Sequence, residues 1–262
     1  MNILFTVCGR KGSKGIKNKN IREFLGYPLP YYTLSAIDLF KGIHEELKTD
    51  IVVNTDSEEL ISIMQQNPFF EIDTIVREAA LSGDMVAKTA VIYDCLDKMQ
   101  RQKKVEYDVV VDLDITSPIR TVPDIECMID THVKTGADVT TSVTDSRRNP
   151  YFNMVKRTEK GFKRVVESNF TTRQQAPEIF DMNASMYAYT PDFLKTGKGV
   201  LDGYCECIHM FDTGILDLDH ENDFELMQVI AEYIFRQKPE FGLIQDNIKK
   251  KMDLMQMGYG KR

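Results

Sequence analysis

The chain has 262 residues, a formal net charge of −7 and a pI of about 5.3. Apolar residues make up 42% and charged residues 28%, as in a globular protein with a core of ordinary size. The acidic balance argues against nucleic acid as a partner, because such binding needs a broad basic face. The apolar runs fall short of the roughly 20 residues of a membrane helix, so no membrane association is expected.

Cysteine usage and the N-terminal run both predict a cytoplasmic protein. The five cysteines are odd in number, scattered, and without a CxxC pair. This pattern is typical of reduced thiols and indicates neither a disulfide framework nor a zinc site. The first apolar run spans only about six residues and follows no basic leader, so it is not expected to be a signal peptide.

Strand-like apolar runs alternate with helix-like segments over the first half of the chain. The predicted elements are a strand at 3–8, a helix at 31–40, a strand at 51–55, a helix opening after an N-cap at Ser57, a helix at 84–99, a strand at 109–111, a helix at 122–133 and a strand at 137–143. This alternation predicts an α/β fold in which helices cover a mainly parallel sheet.

The pattern changes between residues 144 and 180, which are polar and rich in Arg and Asn. This region is predicted to be an inserted hairpin with a short strand at 162–166. Strands at 185–189 and 207–210 are expected to return to the sheet. An amphipathic helix at 222–235 and a helical tail from residue 238 complete the chain. We therefore expect a single domain over residues 1–262 that carries 144–180 as an insert.

A basic, glycine-punctuated stretch, GRKGSKGIKNKN, follows the first predicted strand at residues 9–20. Open α/β sheets place their ligand sites at such strand ends. Its glycines permit tight turns that expose successive backbone N–H groups to phosphate oxygens. Arg10 can contact two oxygens at once, and Lys14 supplies a compact charge. The spacing matches neither a Walker loop nor GxGxxG, and a solvated basic loop is the alternative.

Two pairs of aspartates are candidate metal ligands. Asp217 and Asp219 lie two residues apart, so an extended segment would place both carboxylates on one face, where they could hold Mg²⁺. The alternative is an acidic helix N-terminus, which the helix dipole favours. Asp112 and Asp114 follow the predicted strand at 109–111 and form a second candidate pair. The sequence alone does not decide between the pairs.

Together these motifs resemble the acylneuraminate cytidylyltransferases, which make CMP-activated nonulosonic acids such as CMP-sialic acid. GRKGSKGIKNKNI is similar to the family's ARxGSKGxxxKNI signature. Five further segments of this chain resemble family segments that occur in the same order. They are VNTDS (VSTDS in the family), REAALSGD (RPxxLxxD), DITSPIR (QPTSPLR), NASMYAY (NGAIYxx) and DLDHENDFELM (DIDTxxDFxxA). The agreement in order and spacing extends to about Ala231. RRNPYFNMV, TTRQQAP and DMNASMY are most similar to the legionaminic acid type.

The resemblance implies a Rossmann-like, GT-A-like nucleotidyltransferase domain with a small dimerisation insert, and therefore a homodimer. It implies transfer of CMP from CTP to the anomeric hydroxyl of a nine-carbon keto-sugar acid of sialic, legionaminic or KDN type, with Mg²⁺ as cofactor. The expected nucleotide-binding residues are Arg10, Ser13, Lys14, Asn20 and Arg77. The expected sugar-binding residues are Asp114, Arg173, Asn183 and Tyr187. Asp217 and Asp219 are the expected metal ligands, and Arg10, Lys14 and Asp219 the expected catalytic residues.

Several positions depart from the family pattern. Asp114 stands where the sialic acid enzymes commonly have Gln, and Lys88 stands where a small hydroxyl residue is frequent. Ala184 and Ser185 replace Gly and Ala, and Phe152 stands where some members have a sugar-contacting Lys. These departures bear on the identity of the sugar more than on the type of reaction.

Three other functions are compatible with parts of the sequence. A Kdo cytidylyltransferase is disfavoured, because those enzymes carry a QGDEP-like segment where this chain has LDITSPIR. A metal-dependent glycosyltransferase would use a DxD motif but has no need of the basic loop. A non-catalytic CMP-sugar binding protein is the third alternative, although the charged residues of the motifs are retained.

Overall fold

The computed structural model describes residues 1–12, 15–83, 85–213, 218 and 220–259, with side chains described to residue 257. The strands are β1 (Asn2–Cys8), β2 (Glu23–Phe24), β3 (Tyr27–Pro28), β4 (Lys48–Thr55), β5 (Asp73–Val76), β6 (Val109–Leu113), β7 (Val139–Asp145), β8 (Val155–Thr158), β9 (Gly161–Arg164), β10 (Phe180–Tyr189) and β11 (Cys205–His209). The helices are α1 (Pro30–Ile43), α2 (Glu58–Gln65), α3 (Lys88–Lys103), α4 (Val122–Thr135), α5 (Pro191–Lys195), α6 (Glu221–Gln237) and α7 (Pro239–Tyr259).

Seven of the strands in the described residues form the central sheet, in the order β11-β7-β10-β6-β1-β4-β5. β10 runs antiparallel to both of its neighbours, and the other pairs are parallel. The prediction of a mainly parallel sheet is thereby confirmed. Because β4, β1 and β6 lie side by side and run the same way, their carboxyl ends meet at one edge of the sheet.

Side chains of the central strands alternate between two apolar cores, one on each face of the sheet. Ile3, Phe5 and Val7 of β1 belong to the core that includes α1, α4, α6 and α7. Leu4, between them, belongs to the core that includes α3 and α5. Burial on both faces explains why β1 is a continuous apolar run without polar alternation.

Local sequence signals fix several helix ends. The hydroxyl of Ser57 accepts a hydrogen bond from the backbone N–H of Leu60, which confirms the predicted N-cap of α2. Thr121 and Asp124 form a reciprocal capping box at the start of α4, whose first turn contains Pro123. Gly136 follows α4 with φ 65°, a left-handed conformation that glycine adopts readily and that ends the helix.

Other boundaries differ from the predictions. The helix predicted at 84–99 starts four residues later, because the chain before Lys88 is extended at Ala87. β10 begins at Phe180 rather than residue 185, because pairing with β7 recruits a polar segment that propensity disfavours. In the insert, β9 ends at Arg164 and pairs with β8. The sequence analysis predicted none of β5, β8 and α5. Among the described helices, none has the length and apolar character needed to span a membrane.

Candidate active site

A cavity of about 400 Å³ opens at the edge of the sheet where β1 and β6 end. Its lining includes four cationic side chains and one carboxylate, those of Arg10, Lys19, Arg77, Lys88 and Asp114. On a chain whose net charge is −7, this local excess of positive charge suits a small anionic ligand. The volume lies within the usual range of pockets for small ligands.

The basic loop after β1 is held against the end of β4. The backbone N–H of Gly9 donates to the carbonyl oxygen of Asn54 at 3.2 Å. The side-chain amide of Asn20 donates to the carbonyl oxygen of Arg10 at 3.1 Å and so closes the loop on itself. Gly12 has φ +77°, a left-handed conformation that favours glycine. The loop thus brings Arg10 and Asn20, two of the predicted nucleotide-binding residues, to the cavity.

A distant part of the chain reaches the same cavity at Leu218. The Lys19 ammonium donates to the carbonyl oxygen of Leu218 at 2.9 Å, and both residues line the cavity. The basic loop therefore meets the segment in which metal ligands were predicted. Four residues predicted for the site, Ser13, Lys14, Asp217 and Asp219, lie outside the described residues.

Arg77 is a buried arginine at the cavity wall. Its Nε donates to Asn54 Oδ1 at 2.7 Å, and its Nη2 donates to the Asn54 carbonyl oxygen at 2.8 Å. The amide of Asn54 in turn donates to Asp94 at 3.1 Å. Two of the three guanidinium nitrogens are thus committed to Asn54, so the charge of Arg77 is fixed in place rather than carried on a free side chain.

Lys88 lies between two carboxylates at the carboxyl end of β6. Its ammonium is 2.7 Å from Asp112 Oδ2 and 2.9 Å from Asp114 Oδ2, and it lies 5.6 Å from the ring centre of Tyr187. Burial alone would lower the pKa of Lys88, but the charges of Asp112 and Asp114 outweigh it and raise the pKa well above its usual value. The cation between these two aspartates is therefore a lysine of the chain itself.

Asp114 is held as a carboxylate on the cavity side of this group. Thr116 donates to its Oδ1 from the backbone N–H at 2.8 Å and from the hydroxyl at 2.7 Å. Burial alone would raise the pKa of Asp114, but the Lys88 charge and the Thr116 hydrogen bonds lower it to about 2. With both oxygens engaged, Asp114 presents an acceptor of fixed position and cannot donate a proton at neutral pH.

A fully buried arginine supports the loop that carries Asp114 and Thr116. Arg120 donates through Nε and Nη2 to the carbonyl oxygen of Ser117, at 3.0 and 2.6 Å, and Nη2 also contacts the Asp114 carbonyl oxygen. Burial lowers the pKa of Arg120 to about 10, which leaves it charged at neutral pH. The hydrogen bonds of the buried Arg120 side chain thus hold the loop from 114 to 120 in place.

Cys8 also lines the cavity but is not suited to act as a nucleophile. A hydrogen bond with Cys95, together with burial, raises the pKa of the Cys8 thiol well above its usual value. The thiolate is the reactive form of cysteine, so a thiol that stays protonated at neutral pH is inert.

The four predicted sugar-binding residues lie in different places. Asp114 lines the first cavity. Arg173 lines a second cavity of about 510 Å³, whose lining residues all belong to the insert, and its Nη2 donates to the Ser146 carbonyl oxygen at 2.7 Å. Asn183 borders a small cavity of about 20 Å³, which shares Thr116 with the first. Tyr187 is buried on β10, with its ring beside Lys88.

The sequence did not single out Lys19 and Thr116 as site residues, although the structure places both at the cavity. Lys19 was one of several cations in the basic stretch, and nothing in the sequence distinguished it from Lys17, which is exposed and does not line the cavity. Within the described part of the chain, no group of three or more His, Cys, Asp and Glu side chains is placed to hold a metal ion.

Comparison with solved structures finds chains of similar fold. CMP:2-keto-3-deoxy-manno-octonic acid synthetase complexed with CTP matches with a TM-score of 0.63 at 15% identity, over 89% of this chain and 99% of that chain. A 4-diphosphocytidyl-2C-methyl-D-erythritol synthase from Anaerococcus prevotii matches with a TM-score of 0.55 at 11% identity, over 88% and 99%. At these identities the likeness concerns the fold alone.

Sequence comparison then gives the family. Residues 4–238 match the cytidylyltransferase family, and the chain belongs to it; the protein is accordingly a nucleotidyltransferase, as the motif resemblance predicted. Post-translational flagellin modification protein B of Campylobacter coli is 34% identical, over 90% of this chain and 96% of that protein. CMP-N,N'-diacetyllegionaminic acid synthase of Campylobacter jejuni is 34% identical, over 87% and 94%.

Proposed function

We propose that the protein transfers CMP from CTP to the anomeric hydroxyl of a nine-carbon keto-sugar acid and releases pyrophosphate. The observation that carries this proposal is the cationic cavity at the ends of β1 and β6, into which four positive side chains and one fixed carboxylate converge. Membership of the cytidylyltransferase family supports CTP as the nucleotide substrate. The likeness to a diacetyllegionaminic acid synthase supports an acid of the nonulosonate class as the acceptor.

The reaction is an in-line displacement at the α-phosphate of CTP, which requires positioning and neutralised charge more than covalent help from the protein. In this proposal Arg10 and Lys14 bind the β- and γ-phosphates and stabilise the negative charge that grows on pyrophosphate as it leaves. The side-chain amide of Asn20 holds the backbone of Arg10 in place by donating to the Arg10 carbonyl oxygen. Arg77, fixed by Asn54, adds positive charge to the same cavity.

The sugar acid would be bound by groups of complementary chemistry. Arg173 can pair with the C1 carboxylate in a bidentate manner. Asn183 and Tyr187 can hydrogen-bond hydroxyl groups, and Asp114 can accept from a hydroxyl or amide N–H because it is held ionised. Arg173 lies in a different cavity from Asp114, so the proposal requires that the acid extend between them or that a second copy contribute.

Asp217 and Asp219 are the proposed ligands of Mg²⁺, since paired carboxylates suit this ion and Leu218 between them borders the cavity. When bound there, Mg²⁺ supplies positive charge to the phosphates and lowers the pKa of a hydroxyl that it contacts. The pair Asp112 and Asp114 is not proposed for this role, because the Lys88 ammonium lies between those two carboxylates.

We also infer a homodimer, formed through the insert, in the cytoplasm where CTP is made. The β8–β9 hairpin exposes Val155 by 59% and Phe162 by 65%, and apolar side chains in such a position are commonly covered by a partner. Sedimentation analysis of wild type and Phe162→Asp tests the inference. A dimer that becomes monomeric in the variant supports it, and a wild-type monomer at micromolar concentration refutes it.

Pyrophosphate release tests the reaction. Wild-type protein is mixed with CTP, Mg²⁺ and one acid at a time from N,N'-diacetyllegionaminic acid, pseudaminic acid, N-acetylneuraminic acid, KDN and Kdo, with UTP, ATP and GTP as nucleotide controls. Release with CTP and a nine-carbon acid supports the proposal. Release with Kdo alone favours the Kdo type, whereas CMP-sugar binding without release with any acid favours a binding protein.

Two substitutions test the proposed catalytic groups. Removal of one preorganised charge typically lowers turnover about 10²–10³-fold. We expect losses of that order for Lys14→Ala and for Asp219→Ala, while the fold is retained. Lys17→Ala is the matched control, because Lys17 belongs to the same loop, is exposed, and does not line the cavity. Wild-type turnover in a folded Asp219→Ala would remove the metal assignment.

A further inference from the structure

Lys88 occupies a position that electrostatics alone would disfavour. It is the first residue of α3, where the positive end of the helix dipole repels a cation. Its ammonium is nevertheless fixed within 3 Å of a carboxylate oxygen of Asp112 and of one of Asp114. Asp112 of β6 and Asp114, just after the strand, therefore hold the charge at the boundary between the core and the cavity, since Asp112 is fully buried and Asp114 is partly exposed.

The ammonium retains capacity for one more partner. A lysine ammonium has three N–H donors. One of them donates to Asp114 Oδ2 at 2.9 Å, and the ion-paired Asp112 Oδ2, 2.7 Å from the ammonium, takes at most one more. The Lys88 side chain is 35% exposed and lines the cavity, whereas Asp112 is fully buried and does not line it. The third N–H is thus available to a ligand in the cavity, and its natural partner is an anionic oxygen.

We propose that Lys88 is a substrate-binding residue, whose third N–H donates to an anionic oxygen of the reacting substrates. That oxygen belongs to a phosphate of the nucleotide or to the carboxylate of the sugar acid. Both are anionic oxygens, and separate binding measurements for the two substrates distinguish them. This assignment rests on the proposed function and deepens it, because it adds a protein cation to the site besides those of the basic loop.

The competing explanation is that Lys88 only neutralises its two aspartates. The three side chains together carry one positive and two negative charges, a net charge of −1. Lys88→Met alone would change this to −2 and would weaken anion binding under either explanation. The double variant Lys88→Met/Asp112→Asn restores −1 without the ammonium. Asp112 is fully buried and does not line the cavity, so its substitution removes no ligand contact.

Lys103→Met is a matched control for loss of an ion-paired lysine. Lys103 belongs to the same helix, its side chain is also 35% exposed, and its ammonium lies 2.8 Å from Asp73. It does not line the cavity. We expect the control to leave the Kd for CTP and the KM for the acid within about twofold of wild type.

The charge-matched double variant Lys88→Met/Asp112→Asn tests whether the ammonium contacts a substrate or only neutralises its aspartates. We expect one substrate to bind about 10–100-fold more weakly, as for loss of a hydrogen bond between charged groups. A raised Kd for CTP, measured by calorimetry, assigns the oxygen to a phosphate. An unchanged Kd for CTP with a raised KM for the acid assigns it to the carboxylate. If both constants stay within about twofold of wild type, Lys88 is only a counter-charge and the proposal is overturned.

Two further readouts keep the test decisive. If the methionine variants lose their cooperative thermal transition, Lys88→Gln and Lys88→Gln/Asp112→Asn make the same comparison with a side chain that can still donate to Asp114. If wild type binds CTP but transfers CMP to none of the acids, the proposed function fails, and the Kd for CTP alone decides the role of Lys88. A wild type that binds neither substrate overturns both.

Discussion

Gly9 is the position where the smallest substitution should have a large effect. A Cβ at this residue would lie 2.7 Å from Leu60 Cδ2, 3.0 Å from Ile115 Cδ1 and 3.1 Å from Asn20 Nδ2. Real Cβ atoms avoid such distances, so Gly9→Ala must displace neighbours on three sides. Leu60 and Ile115 are fully buried and have little room to move, and Asn20 is the side chain that closes the basic loop.

The cost follows from these contacts. Overpacking a tight interior typically destabilises by about 1–3 kcal/mol. Displacement of Asn20 also removes its hydrogen bond to Arg10, for about 0.5–1.5 kcal/mol more. We therefore expect Gly9→Ala to lower the free energy of unfolding by about 2–4 kcal/mol. Because Arg10 and Asn20 both line the cavity, we also expect weaker CTP binding in the protein that remains folded.

Urea unfolding followed by circular dichroism measures the first effect, with Gly42→Ala as the control. Gly42 lies in α1, and a Cβ there would meet nothing within 4 Å. Alanine in a helix is about 0.5–1 kcal/mol more favourable than glycine, so the control should be more stable than wild type. A Gly9→Ala protein within about 0.5 kcal/mol of wild type would refute the packing argument.

Three further predictions concern single residues. Burial lowers the pKa of His132 from 6.5 to about 4, so the folded state favours the neutral ring. The full contribution of His132 to the free energy of unfolding is therefore present above pH 6.5, and about 3 kcal/mol is lost as the pH falls to about 4. Equilibrium unfolding at a series of pH values should show this slope in wild type and not in His132→Gln; equal slopes would contradict it. Arg120→Met should lower the free energy of unfolding by about 2–4 kcal/mol, because it leaves the carbonyl oxygens of the 114–120 loop without their donor; chemical denaturation with an unchanged midpoint would be the contrary result. Ala184 has φ 51°, which costs a non-glycine residue about 1 kcal/mol, so Ala184→Gly should leave the melting temperature unchanged or raise it, and a fall of several degrees would show that the methyl group makes a needed contact.

The elements that the sequence predicted well are those whose signal is local. β1 and the first three residues of β6 are mostly apolar because these strands are buried on both faces of the sheet. The start of α2 follows from Ser57, and that of α4 from Pro123, since capping acts within one helical turn. The basic loop lies at a strand end, as predicted, because the apolar run directly before it marks β1.

The remaining features depend on contacts between residues distant in sequence. The first half of β10 is a strand only because β7 pairs with it, and its register shifts between Met182 and Tyr187. The ion-paired group around Lys88 joins the start of α3 to the end of β6, so no window of sequence contains it. Lys88 and Asp114 depart from the family pattern at separate points of the sequence, and the structure shows that they contact each other.

The position of β1 in the sheet constrains how a newly made chain can assemble. β1 pairs on one side with residues 48–55 and on the other with residues 109–113, both of which leave the ribosome after it. At translation rates of about 5–20 residues per second, its second edge stays open for roughly 5–20 s. An apolar edge exposed for that long is a target for aggregation, so a chaperone that shields β1 during synthesis would benefit this protein more than one in which the corresponding strand lies at the edge of the sheet.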